Sequence, residues 1–452
     1  MSTTETPSTP PELGPEQPWY RGITPYMWLV LLIASLGWVF DVFEGQLFVA
    51  FMERMMKDLE PGATREQINA YNSYANSAFL IGGGLGGVLF GMLSDRIGRT
   101  KTMIITILVY SLFACLTALA QNWWQVALFR FCVALGAGGE WAVASAMVAE
   151  VFPRRARAQV GSIFHASSVF GTYLAVLVGW LMAGTSWRWA FVLGAIPALL
   201  TLWIRMRLRE PEQWVRARER DKETADVSRG RIGDIFRGQL LRRTLLGVSL
   251  ATVGLATFWG VHIYGKNFMK AAAQRQIVAT ADVQGAEAVD ALLVQHAEAL
   301  NSAEMLGMFL VTTGGGLGLV LFGPIAARIG RRKTFLFYQI GGLILGLLMY
   351  KGIEDPSRET LMAALPIFGF FTLGMHAGFA IYFPELYPTR LRGTGAGFCF
   401  NAGRFSAAII VALIGMAHLP LADSATIFSL LFIPGMILLW FAPETLGREL
   451  PE

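Results

Sequence analysis

The chain has 452 residues, of which 54% are apolar and only 15% charged, with a mean hydropathy of +0.49; soluble globular domains carry about 25% charge, so an ordinary soluble enzyme is excluded. The net charge of +5 raises the question of an anionic partner, but Lys and Arg collect in the cytoplasmic loops of membrane proteins for orientation, and no nucleic-acid role is expected. Cys115, Cys132 and Cys399 fall inside apolar stretches at unrelated spacings, which argues against a disulfide framework or a metal cluster.

Met1 to Pro18 is rich in Pro, Thr, Ser and Glu and lacks the basic start and apolar run of a signal peptide, so 1–26 reads as a disordered cytoplasmic tail. Apolar stretches of spanning length follow at 27–51, 73–93, 102–120, 125–150, 158–183 and 187–206, then at 244–269, 304–326, 334–351, 360–383, 393–416 and 425–442. The third and ninth are short, and the fourth and eighth carry enough Gly to lower helix propensity. An all-α integral membrane protein of twelve transmembrane helices is expected, with an N-terminal half at 27–206, a basic linker at 207–243, a C-terminal half at 244–442 and a tail at 443–452. Basic clusters at Arg96, Arg99 and Lys101, at Arg154, Arg155 and Arg157, at 205–243, at 328–333, and at Arg390 and Arg392 lie in alternate loops, which places them and both termini in the cytoplasm. The opposite loops are short except 271–303, which is too polar to span and reads as an external helical insertion.

At an offset of about 232 residues the chain repeats itself. Gly82-Gly-Gly-Leu-Gly86 falls over Gly314-Gly-Gly-Leu-Gly318, Val88-Leu-Phe-Gly91 over Val320-Leu-Phe-Gly323, and Arg96-Ile-Gly98-Arg99 over Arg328-Ile-Gly-Arg331. Glu150 to Arg157 pairs with Glu385 to Arg392, and Pro211-Glu212 with Pro443-Glu444. Two homologous six-helix halves in parallel orientation suit rocking about a site between them, which points to transport rather than catalysis.

The segment from Gly91 through Asp95, Arg96, Gly98 and Arg99 to Lys101 resembles the signature loop between the second and third helices of the major facilitator superfamily. Supporting matches are its second copy at 323–333, which carries Ala327 in place of Asp95, then Arg130 with Gly136, and Pro443-Glu-Thr-Leu-Gly-Arg448. Within the superfamily, Asp41-Val-Phe-Glu44, Gly136-Ala-Gly-Gly-Glu140 and the run from Glu385 to Gly395 are similar to proton symporters for sialic and aromatic acids, which usually carry a second Asp at the place of Glu44. The resemblance implies the twelve-helix fold of that family and alternating access.

Ionisable side chains deep in a span cost about 2.5–3.5 kcal/mol on insertion scales and need a partner or a purpose. Five stand out: Asp41, Glu44, Arg130, Glu140 and Arg404. Asp41 and Glu44 are three apart and share a helix face, where two carboxylates resist double ionisation and gain affinity for one proton. Glu44 lies about 10 Å and Arg130 about 7–8 Å from the outer surface at 1.5 Å per residue, so the two are able to pair; a structural pairing and a proton-linked role are both open for Arg130. Glu140 reads as a second relay or as a group satisfying backbone. Arg404, near the middle of the eleventh span, suits a substrate carboxylate, with Asn401 one turn earlier on its face; an Arg held by neighbouring carbonyls is the alternative. Trp259, His262 and Tyr264 in the seventh span combine aromatic surface with polar tips, as substrate pockets do, although interfacial anchoring explains them too. His165 and His376 are weaker candidates of the same kind.

Gly91, Asp95, Arg96, Gly98, Arg99, Arg328, Arg331, Glu150, Arg157, Glu385 and Arg392 form the expected gate, pairing when the cavity opens outward and parting when it opens inward. Gly260 to Asn267 mimics a phosphate loop but lies inside an apolar span, and no metalloprotease or esterase motif is present, so no cofactor, no nucleotide and no enzymatic activity are expected. The expectation is a monomeric inner-membrane (plasma-membrane) symporter that takes up a small organic anion with protons. A neutral-sugar transporter, an exporter of amphipathic compounds, and a non-transporting receptor or scaffold are the alternatives.

Overall fold

The computed structural model describes residues 18–182, 185–223, 229–281, 285–353, 356–417 and 419–452. Most of the 1–26 tail lies outside these residues. Its end is ordered: Trp19 packs edge-on against Tyr20 and Trp28, and Thr24 Oγ1 caps the first helix by accepting from Met27 N at 3.3 Å.

Among the described residues twelve helices are long and apolar enough to cross a membrane: α1 (Pro25–Leu59), α2 (Arg65–Ile97), α3 (Arg99–Thr117), α4 (Trp123–Val151), α5 (Arg157–Leu181), α6 (Trp187–Arg205), α7 (Gly238–Phe258), α8 (Ala297–Ile329), α9 (Arg331–Gly352), α10 (Arg358–Leu386), α11 (Thr389–Ile414) and α12 (Ala422–Phe441). Their starts carry the chemistry that orphan helix N–H groups require. Pro25 opens α1, Thr64 and Gln67 form a reciprocal capping box on α2, and Asn122 and Ser357 cap α4 and α10. Leu112, Leu128, Trp180, Leu317, Leu413 and Trp440 are among many large apolar side chains left facing outward, as a lipid-bathed surface requires.

The glycines that weaken α4 and α8 as isolated helices, like those of α2, are contact points within unbroken ones: a Cβ on Gly138 of α4 would lie 2.0 Å from Gly83 O of α2. A Cβ on Gly82 or Gly86 would lie 2.2 or 1.9 Å from the carbonyl oxygens of Phe131 and Leu135 on α4. In the second half a Cβ on Gly314 or Gly318 would lie 1.8 or 2.2 Å from those of Pro366 and Phe370 on α10. The internal repeat is thus a repeated close approach of helix backbones, which only glycine permits.

Two expected boundaries shift. The seventh span belongs to a single helix, Gly238–Ala281, that runs on through the first part of the insertion; the short helix Ala286–Gln295 then leads into the early start of α8 at Ala297. The insertion is therefore a helical extension of the seventh and eighth spans. The linker narrows to the stretch after Arg205 and before Gly238, holding a helix at Glu212–Glu223 and a 3₁₀ turn at Ile232–Phe236.

Candidate functional site

On α1 the spacing of Trp38, Asp41 and Glu44 puts all three on one buried face. Glu44 is held by Arg130 of α4, whose Nη1 donates to both carboxylate oxygens at 2.7 and 2.8 Å, while the guanidinium lies between the rings of Phe48 and Phe79 at 4.1 and 4.0 Å. The depth match read from the sequence is realised as this pair. Glu140 is held instead by Arg205 of α6, at 2.5 and 2.9 Å, and accepts from Thr106 Oγ1 at 2.8 Å. Arg205 also reaches the carbonyls of Ile33 and Met103. This corrects the reading of Arg205 as the start of the exposed basic linker: it is fully buried. Gly37 makes room for the pair, since a Cβ there would lie 2.0 Å from Arg205 Nη2 and 2.5 Å from Glu140 Oε1. Glu44 and Glu140 therefore each meet a fixed guanidinium.

Asp41 is different. It is 8% exposed and has no hydrogen-bond or ion-pair partner among the described residues. The opposite charge that acts on it most strongly is Arg404 of α11, from the other half of the molecule, and Arg404 in turn is acted on by Asp41. The two do not form an ion pair. The Arg404 guanidinium lies over the Phe400 ring at 5.1 Å and beside Gly83 of α2, where a Cβ would come within 3.0 Å of Nη1. Asn401 shares this face but is wedged against Gly87, where a Cβ would sit 1.8 Å from its Nδ2; the amide donates to Gly397 O at 2.9 Å. The structure thus gives Asn401 a helix-packing position. Trp259, His262 and Tyr264 lie outside the described side chains.

A continuous row of rings crosses the centre. Phe400 stacks on Trp141 of α4 at 4.0 Å, the Trp141 indole N–H donates to His165 Nδ1 at 3.1 Å, and the His165 ring lies 5.7 Å from Trp38. On the far side Phe379 approaches Phe400 and His376, whose Nε2 lies 3.1 Å from Gly254 O. Two openings of about 70 and 440 Å³, one beside Arg243, Glu385 and Arg448 and the other along the insertion beside Lys270 and Asn301, do not reach these residues.

At the basic end the expected gate residues are joined across the two halves. Asp95 accepts from Arg99 Nη1 at 2.7 Å and caps α11 by accepting from Gly393 N, Thr394 N and Thr394 Oγ1 at 3.1, 2.8 and 2.6 Å. Arg99 and Arg392 both grip Glu150 Oε1 at 2.7 Å, and Arg99 reaches Thr389 O at 2.9 Å. Gly91 meets Gly393 backbone to backbone, with no room for a Cβ. In the second half Arg331 binds Glu385 at 2.8 and 3.2 Å, Thr445 Oγ1 adding a third donor at 2.6 Å. Arg157 donates to Ala149 O at 3.1 Å. Gly323 abuts Ala158 and Ser162 as Gly91 abuts Gly393, but Ala327 offers no carboxylate, and Gln159 Oε1 and Ser162 Oγ are left without partners. Arg96 holds linker carbonyls, and Arg328 is exposed.

Gly98 and Gly330 sit between helices at φ of 116° and 95°, a region that L side chains rarely adopt. Over each lies a carboxylate whose capping role the sequence reading missed. Glu210 accepts from the N–H groups of Arg99, Thr100 and Lys101, and Glu444 from those of Arg331 and Arg332, each capping the start of α3 or α9. The register aligning Glu212 with Glu444 is corrected accordingly: the cap precedes Pro211 in one half and follows Pro443 in the other. The available signal was the exposed run of helix N–H groups after each Gly, which calls for a nearby carboxylate.

Residues 25–273 match the family described as Major Facilitator Superfamily, and residues 300–452 the one described as Sugar (and other) transporter. The chain is 29% identical over 442 residues to the "Probable 4-methylmuconolactone transporter" of Cupriavidus pinatubonensis, covering 95% of this chain and 93% of that one. It is 28% identical to the sialic acid transporter NanX of Escherichia coli, over 85% and 86% of the two chains. The fold superposes on the proton:xylose symporter XylE with a TM-score of 0.72 at 18% identity, covering 94% and 98%. With the first match alone taking in more than half of its length, the chain belongs to the major facilitator superfamily and is a multi-pass membrane transporter.

Proposed function

We propose that this transporter takes up a small organic anion together with protons by alternating access, with its basic end and both termini in the cytoplasm of a cell whose inner or plasma membrane it spans. One observation carries the reading: of the buried central charges, Glu44 and Glu140 are neutralised by Arg130 and Arg205, whereas Asp41 on α1 and Arg404 on α11, from opposite halves, have no ion-pair or hydrogen-bond partner among the described residues and act on each other as opposite charges. A carboxylate without a partner in a poorly solvated centre favours its protonated form, as a coupling group must. A guanidinium without a partner is suited to a substrate carboxylate through two parallel charged hydrogen bonds. The names of the relatives, which carry a muconolactone and sialic acids, support a carboxylate cargo.

In this arrangement the bonds from Asp95, Glu150 and Arg99 to α11 close the cytoplasmic side. Substrate and proton then enter from outside, and the gate parts once Asp41 is neutral and Arg404 is occupied. The test is uptake of labelled sialic acid, benzoate and lactate into proteoliposomes with and without an inside-alkaline pH gradient. Accumulation of one member driven by the gradient, and growing as the outside is acidified, is expected. Asp41→Asn abolishes that accumulation while sparing exchange; undiminished accumulation in this variant overturns the assignment. Arg404→Gln lowers affinity for the acid roughly 10- to 100-fold, the worth of a charged hydrogen-bonded contact.

A further inference from the structure

The row of rings at the centre contains two N–H donors for which the described residues supply no acceptor. Trp38 is 8% exposed, and its indole Nε1 is buried without a partner. His165 is 5% exposed, and its protonation is dictated by its neighbour. An indole N–H only donates, so the 3.1 Å contact from Trp141 Nε1 to His165 Nδ1 requires Nδ1 to be the bare, accepting nitrogen. The proton of the neutral ring then sits on Nε2, for which the described residues supply no acceptor. The two rings lie 5.7 Å apart, tilted by 37°, one turn of α1 from Asp41.

Buried donors are almost always paired, and leaving one unpaired costs about 1–3 kcal/mol. Trp38 Nε1 is such a donor, and with His165 Nε2 left without an acceptor among the described residues on the adjacent ring, the pair points to a group that arrives with the cargo. From the C-terminal half, Arg404 stands at the other end of the Phe400–Trp141 stack, so the two polar ends of this aromatic wall differ in charge. Both donors on the Trp38 side are neutral. A second carboxylate placed there would bring a charge with no counter-charge into a poorly solvated space, whereas a hydroxyl or carbonyl oxygen accepts from both without that cost.

Resting on the reading of Arg404 as the carboxylate anchor, we infer that Trp38 Nε1 and His165 Nε2 form a second subsite that accepts an uncharged oxygen of the substrate, which makes the preferred cargo a monocarboxylate carrying a remote hydroxyl or carbonyl group. The Trp141–His165 hydrogen bond positions this subsite by fixing which imidazole nitrogen donates.

The test is calorimetric binding to the purified full chain with four probes: benzoate, 4-hydroxybenzoate, and the amides of both. Carboxylate against amide reads Arg404, and hydroxyl against hydrogen reads the subsite. Wild type is expected to favour 4-hydroxybenzoate over benzoate by roughly fivefold, as one satisfied buried hydrogen bond gives. Trp38→Phe keeps a ring and removes the N–H, and brings that ratio toward one. His165→Gln, which can still accept from Trp141 and donate through its amide, retains a preference. A merely structural role for Trp38 would weaken both acids in proportion and leave the ratio in place, which overturns the inference, as does a wild type without preference. If only the amides bind, the carboxylate reading falls, and the hydroxyl ratio between the amides decides the subsite by the same criterion. If none of the four binds, both are overturned.

Discussion

Glu44 and Arg130 are each nearly sealed from solvent, so replacing one strands the other as a buried charge. Glu44→Gln and Arg130→Ala should each lower unfolding stability by about 3–5 kcal/mol, with the double variant Glu44→Leu, Arg130→Met recovering part of the loss; thermal unfolding of the purified chain checks this. A coupling role for Glu44 would show differently, as folded protein that exchanges substrate but no longer responds to a pH gradient. Gly37→Ala drives a methyl group into Arg205 and Glu140, which are locked by each other and by Ile33 O, and should cost about 1–3 kcal/mol. Which charges matter was legible in the sequence, because an Asp, Glu or Arg inside an apolar run is conspicuous. Which charge meets which was only half legible. The depths of Glu44 and Arg130 could be counted along two helices, but Arg205 ends an apolar run next to further arginines, and nothing in its local pattern separates a buried end from an exposed linker. The solitary Glu140 was the clue that a second guanidinium had to be inside.

Between helices, the tightest contacts are the glycine faces of α2 and α8. Gly86→Ala and Gly318→Ala set a methyl against the carbonyls of Leu135 and Phe370, where neither backbone can yield cheaply. Both should lower the melting temperature, and by similar amounts, because the repeat gives the two sites the same geometry. Helix ends tell a less symmetrical story. Asp95 caps α11 with three hydrogen bonds, and the equivalent Ala327 caps nothing at the start of α5. Asp95→Asn removes the charge that strengthens these contacts and should shift the equilibrium toward an open basic end by roughly 10-fold or more. Spin labels at the exposed, repeat-related positions Lys101 and Lys333 read this as growth of a longer-distance population. The helices themselves were visible as hydropathy, whereas the continuation of the seventh span to Ala281 was not: past the membrane boundary a helix no longer needs to be apolar, so its composition stops reporting its length.

On the scale of the whole molecule, the order of spans, the duplication and the basic end follow from pattern alone, since lipid leaves few alternatives to a closed bundle of helices. What pattern could not supply is the asymmetry between the halves. Two segments with matching motifs place their helix-capping carboxylates on opposite sides of a proline, because a cap needs an oxygen within reach of N–H groups and is indifferent to the residue number that brings it. The proposed rocking would break the bonds from Arg99, Asp95 and Glu150 to α11 as a set, so transport rate and basic-end distance should change together across variants of these residues. The linker adds a constraint of another kind. It is gripped from the first half by Arg96, which donates to Arg229 O and Gly230 O at 3.3 Å, and from the second through Gly230 N, which donates to Arg390 O at 3.1 Å. A strand pinned to both sides of a joint sets how far that joint swings before one pin lets go. Slack introduced beside residue 230 would widen the swing, and a tag or fusion partner placed there would report on a looser machine than the native one.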